Sequence, residues 1–242
     1  MGFLDFFRSG PEPSQSQLGK AIRQITQPHG DPGIRMGAAD RLREWGTPES
    51  VAGLLRRFTV QTPSGQVDLE ERQHIEAMLV ELGEVAVKPI VNFLSRESAV
   101  SYPARALKRI LQAEDYVGRI LDILEGLEAD FGSSSEQRSG LLRALEGLDD
   151  ERIAPAVRRL LGDPSDDVAI AAMERILEAD DPSYLEDMVE LLVASGDRLR
   201  VRQEVAERLA VVGWPTQHFR KQVEANLPDG FAIDKRGRVV SI

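Results

Sequence analysis

Apolar positions in this chain fall at helical spacing, and the spacing itself repeats. Counted from Arg35, Arg72, Pro103, Arg138, Ala169 and Arg202, an apolar residue stands three positions on: Ala38, Ile75, Ala106, Leu141, Ala172 and Val205. A larger one stands seven on: Leu42, Leu79, Ile110, Leu145, Ile176 and Leu209. A third stands ten on, at Trp45, Leu82, Ala113, Leu148, Ala179 and Val212. These offsets trace one face of a helix with about 3.6 residues per turn. In three copies a glycine follows, Gly46, Gly83 or Gly213, the residue best suited to close a helix. Successive anchors lie 37, 31, 35, 31 and 33 residues apart. A period in this range predicts a stacked array of helix pairs.

The second helix of each pair has its own stripe. Val51, Leu54, Leu55 and Phe58 form the first, and Val87, Ile90, Val91 and Leu94 the next. Val117, Ile120, Leu121 and Leu124 follow, then Ile153, Val157, Leu160 and Leu161, then Leu185, Val189 and Leu192. Asp31-Pro32 supplies an N-cap and a proline whose missing N–H costs nothing in a first turn. Leu18, Ile22 and Ile25 predict one leading helix before the array. Two joins are long, at residues 61–67 and 130–136. At the far end, Phe231-Ala232-Ile233 and Val239-Val240-Ser241-Ile242 flank a glycine-containing turn and predict a hairpin. It would seal the last repeat as a cap, or offer an edge strand to a partner as a hook. The chain thus divides into an apolar head and linker (1–17), a solenoid (18–228) and the hairpin (229–242).

The segment Leu160-Leu161-Gly162-Asp163-Pro164, leading into Val168-Ala169-Ile170-Ala171-Ala172-Met173-Glu174-Arg175-Ile176-Leu177, resembles the short HEAT-like repeats of bacteria, the type also found in phycobilisome lyase subunits. Arg35-Met36-Gly37-Ala38-Ala39-Asp40-Arg41-Leu42 followed by Trp45-Gly46 is similar. The resemblance runs over about residues 33–214, with Pro103 and Ala169 standing where the anchor is otherwise arginine. It implies an all-α fold, a right-handed α-solenoid of about six helix pairs whose second helices line the concave face. Small residues at Ala38, Ala39, Ala104, Ala106, Ala171 and Ala172 would allow close helix approach.

Composition narrows the chemistry. There is no cysteine, which excludes disulfides, thiolate metal sites and thiol nucleophiles. His29, His74 and His218 stand apart, without the paired spacing that holds a metal on a helix. No glycine-rich phosphate loop follows a strand, and Ser133, Ser134 and Ser135 have no neighbouring base. No cofactor is expected. No apolar run reaches the roughly 18 residues of a membrane span, and the first ten residues lack the basic region of a secretory signal. A cytoplasmic location is the expectation.

The net charge of −10 is unevenly distributed. Residues 112–197 hold 22 acidic side chains against 7 arginines, a balance of −15, whereas residues 1–66 balance to +2 and residues 198–242 to +4. A continuous basic stripe for nucleic acid is absent, so no nucleic acid is expected, and a partner with a basic surface would suit the middle.

The expected function is therefore a non-enzymatic scaffold or adaptor that binds another protein on the solenoid face. Candidate contact residues off the second-helix stripes are Arg56, Arg57, Lys88, Asn92, Arg119, Asp122, Arg158, Arg159, Asp187 and Glu190. Salt bridging to neighbouring acidic helices is the competing role for the pairs Arg56-Arg57 and Arg158-Arg159. The head, with Phe3, Leu4, Phe6 and Phe7, is a separable candidate hook. The resemblance carries two enzymatic alternatives: an enzyme or accessory of the bilin-lyase type, and a DNA glycosylase-like protein relying on tryptophans, here Trp45 and Trp214.

Overall fold

The structure, a computed structural model, describes residues 12–128 and 134–242. The head residues Phe3, Leu4, Phe6 and Phe7 lie outside the described residues, as does most of the 130–136 join. The described residues are predominantly helical, with thirteen α-helices and one two-stranded antiparallel sheet. They form two compact units, divided between Ser133 and Ser134.

The first unit contains α1 (Gln15–Ile25), α2 (Pro32–Trp45), α3 (Pro48–Leu55), α4 (Gly65–Leu82), α5 (Glu84–Leu94), α6 (Ser101–Ile110) and α7 (Ala113–Glu128). Local chemistry sets the boundaries. Ser14 and Gln17 form a capping box on α1, and Thr47 and Ser50 form one on α3. The Asp31 side chain accepts from the Ile34 N–H ahead of Pro32, as the sequence predicts. Gly46 ends α2 with φ +59°, a left-handed conformation that a side chain would strain. Helices then contact their counterparts: α2 packs on α1, α3 and α4, α4 on α6, α3 on α5, and α5 on α7. Gly53 allows the close approach of α3, since a Cβ there would lie 3.0 Å from Ile22 and 3.1 Å from Leu42.

The second unit contains α8 (Ser135–Ala144), α9 (Ile153–Val157), α10 (Asp166–Leu177), α11 (Leu185–Ala194), α12 (Leu199–Val212), α13 (Arg220–Asn226), β1 (Phe231–Ile233) and β2 (Val239–Ser241). The same alternation holds. Helix α10 packs on α8 and α12, while α11 packs on α13 and on the 3₁₀ turn Arg158–Gly162 that continues α9.

All six anchor helices are present, and the core follows the predicted offsets with one correction. Every residue at the third position is buried, and so is every residue at the seventh except the half-buried Ile110. None at the tenth is fully buried. Helices α6, α8 and α10 stop at Ile110, Ala144 and Leu177, before that position is reached.

The predicted hairpin forms with Phe231 opposite Ser241, Ala232 opposite Val240 and Ile233 opposite Val239. Asp234 shapes its turn by accepting from the backbone N–H groups of Arg236 (2.8 Å) and Arg238 (2.9 Å). Strand β2 packs on α12 with Val239 buried, and β1 packs on α13. The buried Thr216 fixes the tip, its N–H and hydroxyl both donating to the Gly237 carbonyl at 2.7 Å. Thr216→Val keeps the shape and the N–H bond but removes the hydroxyl bond. It is expected to cost about 1 kcal/mol in a urea denaturation curve.

Candidate functional surface

The anchor arginines carry chemistry that apolar periodicity does not register. Arg35 donates to the carbonyls of Gln27 and Gly30, in the turn that precedes its own helix. Arg72 donates to Val60 O (3.0 Å) and Arg202 to Gly196 O (3.3 Å), again in the preceding turns. Arg138 instead pairs with Asp163 at 3.0 Å, the aspartate of the Leu160-Leu161-Gly162-Asp163 segment. Each arginine pins a loop to a helix. Their recurrence in the sequence therefore has a structural cause.

In the first unit these contacts converge on a buried ion cluster. Glu71 accepts from Arg35 Nη2 (2.8 Å) and Arg57 Nε (2.8 Å). Asp68 accepts from Arg57 Nη2 (2.7 Å), Arg72 Nε (2.6 Å) and the Thr62 N–H (3.0 Å). Arg57, expected as a partner contact, has 0% of its surface exposed. It is a correction: Arg57 lies three residues after Leu54 and beside Phe58, on the apolar face of α3 and its 3₁₀ extension, and is held there by two carboxylates. Next to the cluster, Tyr102 stacks on Phe58 with ring centroids 5.6 Å apart, and the Arg105 guanidinium lies 4.4 Å from the Tyr102 ring centre.

Burial opposes ionisation of Asp68, but hydrogen bonds from Arg57, the Thr62 N–H and Arg72 outweigh it and hold its pKa below the ordinary 3.8. A carboxylate with a depressed folded pKa stabilises fully above its unfolded value and loses that contribution as the pH falls through the folded one. Stability is therefore expected to decline on the acid side of 3.8. Asp68→Asn should flatten that limb of a stability-against-pH curve recorded by urea denaturation.

The other candidates divide by exposure. Arg56, Lys88, Asn92, Arg119 and Asp122 are exposed in the first unit, and Arg158, Arg159 and Glu190 in the second. Asp187 is buried and receives Arg158 Nε at 2.6 Å, with the charge of Glu190 also acting on Arg158. Arg56 pairs with Glu97 at 2.8 Å, and Arg159 donates to Ala156 O at 2.7 Å. The structure thus brings Arg158, Asp187 and Glu190 together, and ties the arginine pairs into the chain. Carboxylates on α7 differ. Asp115, Asp122 and Glu125 are exposed and make no ion pair among the described residues.

No group of three or more metal-binding side chains occurs among the described residues, and no described helix is long and apolar enough to cross a membrane. Comparison with known proteins yields no match to a family model, to a curated protein or to a solved structure.

Proposed function

We propose that the chain is a HEAT-like α-solenoid that serves as a non-enzymatic scaffold or adaptor, binding a basic protein through the exposed faces of its second helices. The observation that carries the reading is the like-with-like stacking inside each unit. Anchor helices α2, α4 and α6 contact in succession, as do α3, α5 and α7, and the second unit repeats the alternation. The sequence period runs through the division between units, from Pro103 to Arg138. Such stacking leaves one edge of every second helix for a partner, and repeat arrays use such surfaces for binding.

Charge favours a basic partner. Arg56 and Arg158 are paired within the chain, whereas Asp115, Asp122 and Glu125 present carboxylates with no ion-pair partner among the described residues. Exposed charge pairs are screened by salt, over about 10 Å at 0.1 M. The complex should therefore weaken with ionic strength, and Asp122→Lys with Glu125→Lys should abolish capture of the partner from a host extract. A partner retained equally by the variant and in high salt would refute the acidic surface. A partner lost only on deletion of residues 1–12 would assign recognition to Phe3, Leu4, Phe6 and Phe7 instead. The glycosylase alternative gains nothing from Trp214, whose side chain is buried at the end of α12.

A further inference from the structure

Strand β1 has a second, unpaired edge. Hydrogen bonds from the Asp234 N–H to Arg238 O and from the Ile242 N–H to Gly230 O place the hairpin's bonded pairs at even-numbered residues of β1. Antiparallel pairing alternates bonded and non-bonded positions, so Ala232 faces β2 while the N–H and C=O groups of Phe231 and Ile233 point away from it. Those four groups have no backbone or side-chain partner among the described residues. All three β1 residues, with Leu227, Pro228 and Ile242, also line a groove of about 380 Å³. Phe231 and Ile233 are half-buried, and Ile242 is 85% exposed. Unpaired edges are templates for strand addition.

The charges at the two ends of this edge select the occupant. The end before β1 carries an acid without an ion-pair partner among the described residues: Asp229 borders the groove and is exposed, whereas Glu224 beside it is neutralised by Arg220 at 2.8 Å. The end after β1 is basic, with Lys235 and Arg236 exposed at the turn. The one acid there, Asp234, is neutralised by the Arg238 guanidinium at 2.8 Å. A strand that adds antiparallel and is a copy of β1 sets each acidic end against a basic end. It also sets Phe231 opposite the copy's Ile233, so that the four outward groups on each side bond reciprocally.

We propose that β1 is a homodimerisation edge: two copies of this chain join β1 to β1 antiparallel about a two-fold axis at Ala232, making one four-stranded sheet. A two-fold contact of this kind is self-complementary, every pairing occurring twice. It rests on the C-terminal segment alone and stands apart from the proposed protein-binding function, though a dimer would present the second-helix surfaces in duplicate.

The test is sedimentation equilibrium of the full chain as wild type, Asp229→Lys, Lys235→Glu and the double variant, with circular dichroism confirming the fold of each. The wild type should dimerise. Each single reversal creates two like-charge contacts and should weaken the dimer by about tenfold or more. The double reversal restores opposite charges and should recover the wild-type dissociation constant. A wild-type monomer at all concentrations overturns the proposal, even where an extended apolar peptide still binds the groove. A dimer indifferent to all three variants overturns it equally, since the contact would then lie elsewhere.

Discussion

Replacing Glu71 by alanine is expected to destabilise the first unit by about 3–5 kcal/mol. The Glu71 carboxylate is buried between Arg35 and Arg57, which are 2% and 0% exposed, and it is the anion shared by both guanidiniums. Its removal leaves the buried Arg35 guanidinium with no carboxylate and Arg57 with Asp68 alone. Most of the loss is the cost of uncompensated buried charge, not the net value of the pairs, because desolvation offsets much of the attraction in an intact cluster. Glu71→Gln keeps the volume and should lose less. A double-mutant cycle with Arg57→Ala should be strongly non-additive, since deleting Arg57 removes one of the cations that Glu71 compensates. A Glu71→Ala cost below about 1 kcal/mol in urea denaturation would show that water reaches the cluster and screens it.

Helix α5 gives the second large effect and links stability to recognition. Ile90 is fully buried, on a helix that contacts α3, α6 and α7, and Ile90→Ala is expected to cost about 2–5 kcal/mol. Lys88 and Asn92 flank it in sequence, and both are exposed. Their alanine variants should stay within about 0.5 kcal/mol of the parent. The contrast separates two meanings of a lost interaction. Partner binding lost in Lys88→Ala or Asn92→Ala at unchanged melting temperature reports a contact surface. Loss in Ile90→Ala that follows unfolding reports only the core.

Much of the helical order was legible because it rests on periodic burial. Residues such as Ala38, Leu79, Leu141 and Val205 must all face a neighbouring helix, and their spacing records it. The hairpin was legible because Gly237 and the two β-prone runs leave few alternatives, and Gly237 adopts φ +79°. The tenth position is not core: at Ala113, Leu148 and Ala179 the apolar spacing continues past the point where the anchor helix stops, and Trp45, Leu82 and Val212 are the last residues of their helices and only half-buried. Arg57 and Asp187 were placed on the surface because charge usually marks solvent. Their positions held the contrary signal: Arg57 follows Leu54 by three residues, and Asp187 precedes Leu191 by four, so each shares a face with buried leucines. A charged residue on an apolar stripe is buried when a partner of opposite sign reaches it, and that partner lies far along the chain. Glu71 is 14 residues from Arg57, and Asp187 is 29 from Arg158. Such pairings need the fold before they can be seen.

We propose that the exposed second-helix faces bind a protein. Site-specific photo-crosslinking in the native host tests it most directly, with the crosslinker placed in turn at Lys88, Asn92, Asp122 and Glu190, and at Arg41 and Glu207 on anchor helices as controls. Adducts to one common partner are expected from the second-helix positions, with none from Arg41 or Glu207. Equal labelling from both sets, or labelling from the anchor helices alone, would contradict it.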